Sequence, residues 1–130
     1  MRKKWLLDSY ALLAYLKKEE NYQKVSEILS SGLEVMMTDI NVGEAYYIIS
    51  RARSPGDAET FLNNILPLLP IRILPCTFPL VIDAARIRAG YTLSCADAFA
   101  VAAAKRENAV LVTGDKEFRH VEQLVKIEWI

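Results

Sequence analysis

Four acidic residues in the sequence occupy positions where their carboxylates could bind a metal ion and support hydrolysis. Asp8 and Asp115 each follow a short apolar segment typical of a buried strand, and Glu44 and Asp97 lie in segments with helical spacing. Carboxylates that converge without a basic partner repel one another, so a divalent cation is the natural occupant of such a group. Oxygen ligands of this kind favour Mg²⁺ or Mn²⁺ over zinc.

Bound metal would give these acids a definite reaction to catalyse. Two such ions about 4 Å apart can activate a water molecule and stabilise the leaving oxygen when a phosphodiester bond is hydrolysed. The chain has 16 basic and 16 acidic residues, and this zero net charge excludes a long-range cationic field for a polyanionic partner. The metal would supply positive potential where a phosphate lies.

Three of the four acids also have a simpler structural explanation. Asp8 and Asp115 could each cap the helix that follows, because Asp is a favoured N-cap residue. Asp97 stands three residues after Ser94 in S-C-A-D, which matches a capping box with Asp in place of Glu or Gln. Capping leaves unexplained why two acids follow strands while the other two open or line the adjoining helices.

Glu44 is expected on a buried helix face. Ile40, Tyr47 and Ile48 share that face at helical spacing, so its carboxylate would lie among apolar neighbours. An ionised group there is costly unless it is paired or bound to metal. The alternative is an ion pair with a Lys or Arg that the sequence does not identify.

Alternating strand and helix patterns predict how these acids are positioned. Strands are expected at residues 5–7, 34–37, 71–74, 110–112 and 125–128. Helices are expected at residues 9–18, 22–29, 38 or 39 to about 52, 54 to about 66, 79–89 and 94–107, with a helical turn at 116–119. This order predicts an α/β fold with a parallel sheet and helices on both faces. Functional residues then gather at the carboxyl ends of the strands.

The composition predicts one compact domain, because 130 residues with 52% hydrophobic side chains can bury a substantial core. Cys76 and Cys95 have no metal-ligand spacing and are expected as small core residues in a reducing cytoplasm. The start, MRKKWLL, is similar to a signal peptide, but Asp8 interrupts its apolar stretch. No apolar run approaches the roughly 20 residues that cross a bilayer. We expect a soluble, unprocessed, cytoplasmic protein without membrane association.

The acids in their sequence contexts resemble the motif set of the PIN-domain nucleases. The matching segments are W-L-L-D-S-Y-A-L-L-A-Y-L, N-V-G-E-A-Y-Y, S-C-A-D-A-F-A-V-A-A-A and L-V-T-G-D-K-E-F. The similarity covers essentially the whole chain, so we expect residues 1–130 to form a single PIN-like domain, most similar to the VapC-type toxins. The resemblance implies a three-layer α/β/α sandwich with a mainly parallel central sheet, and a metal-dependent endoribonuclease that acts on RNA. It also implies a homodimer and a cognate antitoxin.

The same resemblance suggests roles for individual residues. The metal-binding and catalytic acids would be Asp8, Glu44, Asp97 and Asp115. Thr113 would help to hold a water or ligand near the metal, and Ser9 is a weaker candidate for a supporting contact.

Basic and aromatic residues provide candidate RNA contacts. Arg86 and Arg88 are favoured for phosphate because they precede Gly90 and the presumed active-site helix. Other basic candidates, which would equally suit ordinary solvated surface, are Lys17, Lys18, Arg51, Arg53, Lys105, Arg106, Lys116 and Arg119. Tyr46, Tyr47 and Phe61 could stack on bases, although such spacing is also typical of a core or a dimer interface.

Two other functions remain open at this point. A PIN domain could serve as an RNA-processing factor, or as a catalytically silent module that binds RNA or protein. A phosphoacceptor domain of receiver type is disfavoured, because W-L-L-D-S offers one acid where that site needs a pair.

Overall fold

A parallel sheet forms the centre of the computed structural model, which describes residues 2–130. Its strands are β1 (Lys4–Leu7), β2 (Glu34–Thr38), β3 (Arg72–Leu74), β4 (Val110–Thr113) and β5 (Ile127–Trp129). They lie in the order β3-β2-β1-β4-β5, and every neighbouring pair is parallel. The predicted parallel sheet is therefore confirmed. Strand order reverses between β1 and β4, which is where ligands bind in open sheets of this kind.

Helices follow the strands in the predicted alternation. They are α1 (Ser9–Leu16), α2 (Tyr22–Leu29), α3 (Asp39–Ala52), α4 (Pro55–Thr60), α5 (Phe78–Gly90) and α6 (Cys95–Glu107). A 3₁₀ turn at Lys116–Val121 precedes β5. The predicted capping residues Thr38, Ser54 and Ser94 each accept a backbone N–H of the first helical turn through the side-chain hydroxyl.

Both faces of the sheet are covered, which confirms the three-layer α/β/α sandwich. Leu6 of β1 packs into a cluster with buried side chains of α5 and α6, whereas Trp5 and Leu7 pack with residues of α1 and α2. This division follows from the alternation of side chains along a strand. Residues 98–104 of α6 are all buried, because a helix so rich in alanine can lie close against its neighbours.

The helix expected from Ser54 to about Leu66 is interrupted. Helix α4 ends at Thr60, and the chain continues as a wide π-helical turn, Phe61–Ile65, closed by a hydrogen bond from the Leu66 N–H to the Phe61 carbonyl. Phe61 is only 1% exposed and belongs to the core. The prediction that Phe61 could stack on bases is therefore wrong.

The cysteines are a second departure from expectation. Cys76 and Cys95 are free and exposed, so their predicted place in the core is wrong. Cys76 lies in the loop after β3, and Cys95 is the first residue of α6, where side chains face solvent. No helix within residues 2–130 is long and apolar enough to cross a bilayer.

Candidate active site

A cleft of about 580 Å³ opens at the carboxyl edge of the sheet and contains all four predicted acids. The acidic residues that line it are Asp8, Glu19, Glu44, Asp97, Asp115 and Glu117. The cleft lies beside β1 and β4, because Asp8 directly follows β1 and Asp115 comes two residues after β4. The fold thus brings together acids that are more than a hundred residues apart in the chain.

Asp8 is held rigidly at the base of the cleft. It is 2% exposed, and its Oδ1 accepts the backbone N–H of Ala11 at 2.8 Å, so it caps α1 as the structural alternative expects. Its Oδ2 accepts the hydroxyl of Thr113 at 2.5 Å. Capping and a place in the cleft are therefore compatible for this residue.

Thr113 fixes two acids at once. It is completely buried, and its hydroxyl donates to Asp8 while accepting the backbone N–H of Asp115 at 3.0 Å. The hydroxyl thus has two partners in the protein, and a contact with a water or ligand near the metal stays a prediction. Asp115 in turn accepts the Glu117 N–H at 3.0 Å through Oδ1 and caps the following 3₁₀ turn.

Glu44 lies at the rim of the buried face of α3 rather than on it. The buried residues of α3 are Asn41, Val42, Ala45 and Ile49. Glu44 is half-buried and lines the cleft, while Tyr47, expected on its buried face, is 60% exposed. The prediction of which face of α3 is buried is therefore wrong by about one residue position. The Glu44 carboxylate accepts the hydroxyl of Ser9, so Ser9 contacts a cleft acid as a supporting residue would.

Asp97 sits in the first turn of α6 and is 8% exposed. Its backbone N–H donates to the Ser94 hydroxyl at 3.2 Å, which anchors the start of the helix. The buried side chain of Asn41 holds this turn from the other side, because its amide donates to the Ala96 carbonyl at 3.3 Å. Asn41 also accepts the Thr38 hydroxyl at 2.6 Å, so it links β2 and α3 to the start of α6.

The surroundings of these acids disfavour their ionised forms. Burial raises the pKa of Asp8 to about 7, against the hydrogen bonds from Thr113 and Ala11, which lower it. Burial also raises the pKa of Asp97 to about 6, and the negative charge of Asp115 adds to this effect. Carboxylates whose pKa values are raised in this way become ionised when a cation binds, because its positive charge offsets both the cost of burial and the repulsion between the acids.

The chemistry of the donor set fits a hard divalent cation. Within residues 2–130, no Lys, Arg or His forms a salt bridge with any acid of the cleft. The acids do not form a closed cage: within the described part of the chain, no group of three or more His, Cys, Asp or Glu side chains is placed to hold a metal ion. An open arrangement suits Mg²⁺, which commonly binds one or two carboxylates and keeps several water molecules.

The basic residues favoured by the sequence lie outside the cleft. Arg86 is exposed on α5 and pairs with Asp83 at 3.5 Å, and Arg88 is exposed further along the same helix. Neither lines the cleft, so a phosphate contact by either residue stays a prediction. Lys17, which sequence reasoning gave no special weight, does line the cleft.

Sequence reasoning missed several residues of the site. Glu117 lines the cleft two positions after Asp115, and the D-K-E spacing could have identified it. Asn41 carried no signal, because a buried amide cannot be distinguished from a surface one by pattern alone. Tyr10 lines the cleft as well and lies in the segment after Asp8 for which the sequence predicts only a helix.

Comparisons by sequence and by structure relate the chain to known proteins. By sequence, residues 5–124 match the model of the family described as PIN domain. No curated protein sequence matches the chain.

Solved structures with a similar fold come from several bacteria. VapBC2 from Rickettsia felis, bound to a DNA fragment from its promoter, superposes with a TM-score of 0.77 at 20% identity, covering 97% of this chain and 98% of that one. A toxin-antitoxin complex from Klebsiella pneumoniae superposes with a TM-score of 0.67 at 16% identity, covering 91% of this chain and 92% of that one. VapC20 from Mycobacterium tuberculosis, a toxin that cleaves the sarcin-ricin loop, superposes with a TM-score of 0.67 at 16% identity, covering 89% of this chain and 93% of that one.

Proposed function

This chain belongs to the PIN domain family, and we propose that it is a divalent-metal-dependent endoribonuclease. The metal ligands would be Asp8, Glu44, Asp97 and Asp115. The observation that carries the proposal is their convergence on one cleft at the carboxyl edge of the sheet, with no salt bridge to a basic residue among residues 2–130. Such a group of acids is hard to account for without a cation.

The acids and the residues that support them have separate roles in this proposal. Bound Mg²⁺ or Mn²⁺ would supply a Lewis acid that makes water nucleophilic and polarises a phosphate oxygen. Thr113 would keep Asp8 in one orientation through the hydrogen bond to Oδ2, and Ser9 would do the same for Glu44. Such supporting contacts fix ligand geometry before the substrate arrives.

RNA is the substrate that the family membership and the fold support best. Nucleases of the VapC type share this fold, and one structural relative is described as cleaving the sarcin-ricin loop. Hydrolysis by a metal-activated water would leave a 5′-phosphate on the product. The cleft supplies acids for the metal and little cationic surface, so the metal would have to neutralise the substrate phosphate itself.

We further propose that the chain is the toxin of a toxin-antitoxin pair, active in the cytoplasm. Support comes from the structural relatives, several of which were solved as VapBC or toxin-antitoxin complexes. The same resemblance supports a cognate antitoxin, a homodimer and a single nuclease domain that covers residues 1–130. An RNA-processing role would use the same cleft without an antitoxin.

Cleavage of a mixed panel of structured and single-stranded RNAs tests the proposal. The purified protein is incubated with Mg²⁺, Mn²⁺ or EDTA beside two variants, Asp97→Asn and the matched control Asp83→Asn. Asp83 lies on α5, outside the cleft, and pairs with Arg86 and Arg106. We expect cleavage that requires metal, disappears in Asp97→Asn and persists in Asp83→Asn. Binding of RNA without cleavage under any condition would favour a catalytically silent module.

A further inference from the structure

Tyr10 is an aromatic side chain placed at the mouth of the acid cleft. It lies in the first turn of α1, two residues after Asp8, and lines the cleft with the acids. It remains 43% exposed, whereas the other apolar residues early in α1, such as Leu12 and Leu13, are buried. Its ring is therefore available to a ligand in the cleft.

The lack of a side chain at Gly114 allows the ring of Tyr10 to lie in this position. A Cβ atom at position 114 would lie 2.4 Å from Cε1 and 2.9 Å from Cζ of Tyr10, closer than van der Waals contact permits. The ring therefore packs directly on the backbone of the turn between Thr113 and Asp115. Any larger residue at position 114 would push the ring away, so this turn and the aromatic side chain form one surface.

This surface suits a nucleobase. The acids beside Tyr10 repel phosphate except where metal is bound, so the part of an RNA chain that can lie on the ring is an uncharged flat group. Leu13, Ile48 and Leu93 add apolar area to the same cleft. Stacking of bases on aromatic side chains contributes substantially to single-strand binding and tolerates any base, because each base has a π-face.

We propose that Tyr10 is a substrate-positioning residue that stacks on a nucleobase of single-stranded RNA next to the phosphate that is cleaved. The inference rests on the proposed ribonuclease function and specifies how its substrate is held. Paired RNA keeps its bases stacked inside the helix, so the enzyme would prefer single strands, loops or bulges.

Two measurements on a short fluorescein-labelled single-stranded RNA test the proposal. Binding is measured by fluorescence anisotropy in Ca²⁺, and kcat and KM for cleavage are measured in Mn²⁺. A set of matched strands carries an abasic nucleotide at each position in turn. The variants are Tyr10→Ala, Tyr10→Phe and Gly114→Ala, with Phe78→Ala as the control, because Phe78 is exposed at the start of α5 and does not line the cleft.

We expect Tyr10→Ala to weaken binding between about 5-fold and 100-fold and to raise KM more than it lowers kcat. Tyr10→Phe should bind as the wild type does, since stacking needs only the ring, and Phe78→Ala should bind RNA as tightly as the wild type does. Gly114→Ala should weaken binding by displacing the ring. The wild type should bind one of the abasic strands more weakly than the intact strand, by the same factor as Tyr10→Ala weakens binding of the intact strand. Tyr10→Ala should bind that abasic strand and the intact strand equally well.

Equal binding of all strands by Tyr10→Ala and the wild type would overturn the inference. So would an abasic strand that weakens both proteins to the same extent. If the wild type cleaves no RNA, the proposed function fails, and the binding measurement still decides whether Tyr10 stacks on a base.

Discussion

Replacement of Asp8 by Asn is expected to make the metal-free protein more stable than the wild type at neutral and alkaline pH. Asp8 is 2% exposed, so its ionised carboxylate lacks in the folded chain the hydration that it has in the unfolded chain. An Asn side chain keeps an acceptor for the Ala11 N–H and needs no charge. The cost of a buried negative charge therefore disappears in the variant.

The size of the effect follows from the pKa of Asp8. Its value rises from 3.8 to about 7 on folding, which corresponds to about 4 kcal/mol when the group is fully ionised. The folded state holds its proton more tightly than the unfolded state, so this group destabilises the protein progressively as pH rises from about 4 to about 7. Most of this loss should fall between about pH 5 and about pH 8.

Urea unfolding in EDTA, followed by the fluorescence of Trp5 and Trp129, measures this difference. Wild type and Asp8→Asn are compared at both pH values, with Asp83→Asn as the matched control. The free energy of unfolding of Asp8→Asn should rise relative to the wild type as pH increases, while Asp83→Asn should follow the wild type. Added Mn²⁺ should then stabilise the wild type more than Asp8→Asn, because the cation binds only the folded acids.

One result would refute this reasoning. If the wild type and Asp8→Asn show the same pH dependence in EDTA, the Asp8 carboxylate does not bear the cost of burial that its surroundings indicate. A wild type that gains stability over Asp8→Asn with rising pH would contradict the sign of the effect.

Three further substitutions test the supporting contacts. Thr113→Val removes the hydroxyl that donates a hydrogen bond to Asp8. The free energy of unfolding in urea should fall by about 1–3 kcal/mol, and the affinity for Mn²⁺ should fall about 10-fold or more. An unchanged Mn²⁺ affinity would contradict this prediction. Ser9→Ala removes the hydrogen bond to the Glu44 carboxylate. Calorimetry should then detect weaker Mn²⁺ binding, while the free energy of unfolding changes by about 1 kcal/mol or less. A larger loss of stability with full metal affinity would indicate a purely structural role. Asn41→Ala removes the side-chain donor to a backbone carbonyl of α6 and the acceptor of a buried threonine hydroxyl. It should cost about 1–3 kcal/mol in urea unfolding, whereas wild-type stability would show that this link is dispensable.

The periodicity of the sequence was sufficient to predict most of the fold. Strands and helices alternate as expected, and the N-cap residues mark the helix starts within one position. The exception after Ser54 has a physical cause. A regular helix through Leu66 was expected from spacing, but the chain takes a wide turn at Phe61–Ile65, and Pro67 has no N–H with which to continue the helix.

The location of the acids could be predicted, but their detailed environment could not. Position at strand ends was enough to place Asp8 and Asp115 in one cleft. The buried face of α3 was misjudged because Asn41, a polar residue, occupies it through hydrogen bonds to Thr38 and the start of α6. A hydrophobicity pattern assigns such a residue to the surface and shifts the predicted face by one position.

Contacts that depend on close packing are also invisible to sequence patterns. The approach of Tyr10 to Gly114 arises from the spatial proximity of α1 and the turn after β4, which are about a hundred positions apart. Periodicity assigned Tyr10 to a helix and gave no indication that its ring would remain exposed. Only the folded chain reveals that the glycine and the aromatic ring form one surface.

A titration of Mn²⁺ into metal-free protein by calorimetry tests the central claim most directly. Wild type, Asp97→Asn and Asp83→Asn are compared at about pH 8, where the raised pKa values of the cleft acids no longer oppose metal binding. The account predicts saturable binding to the wild type and Asp83→Asn, and binding at least about 10-fold weaker to Asp97→Asn. Identical isotherms for all three proteins, or no saturable binding to the wild type, would contradict a metal site in this cleft.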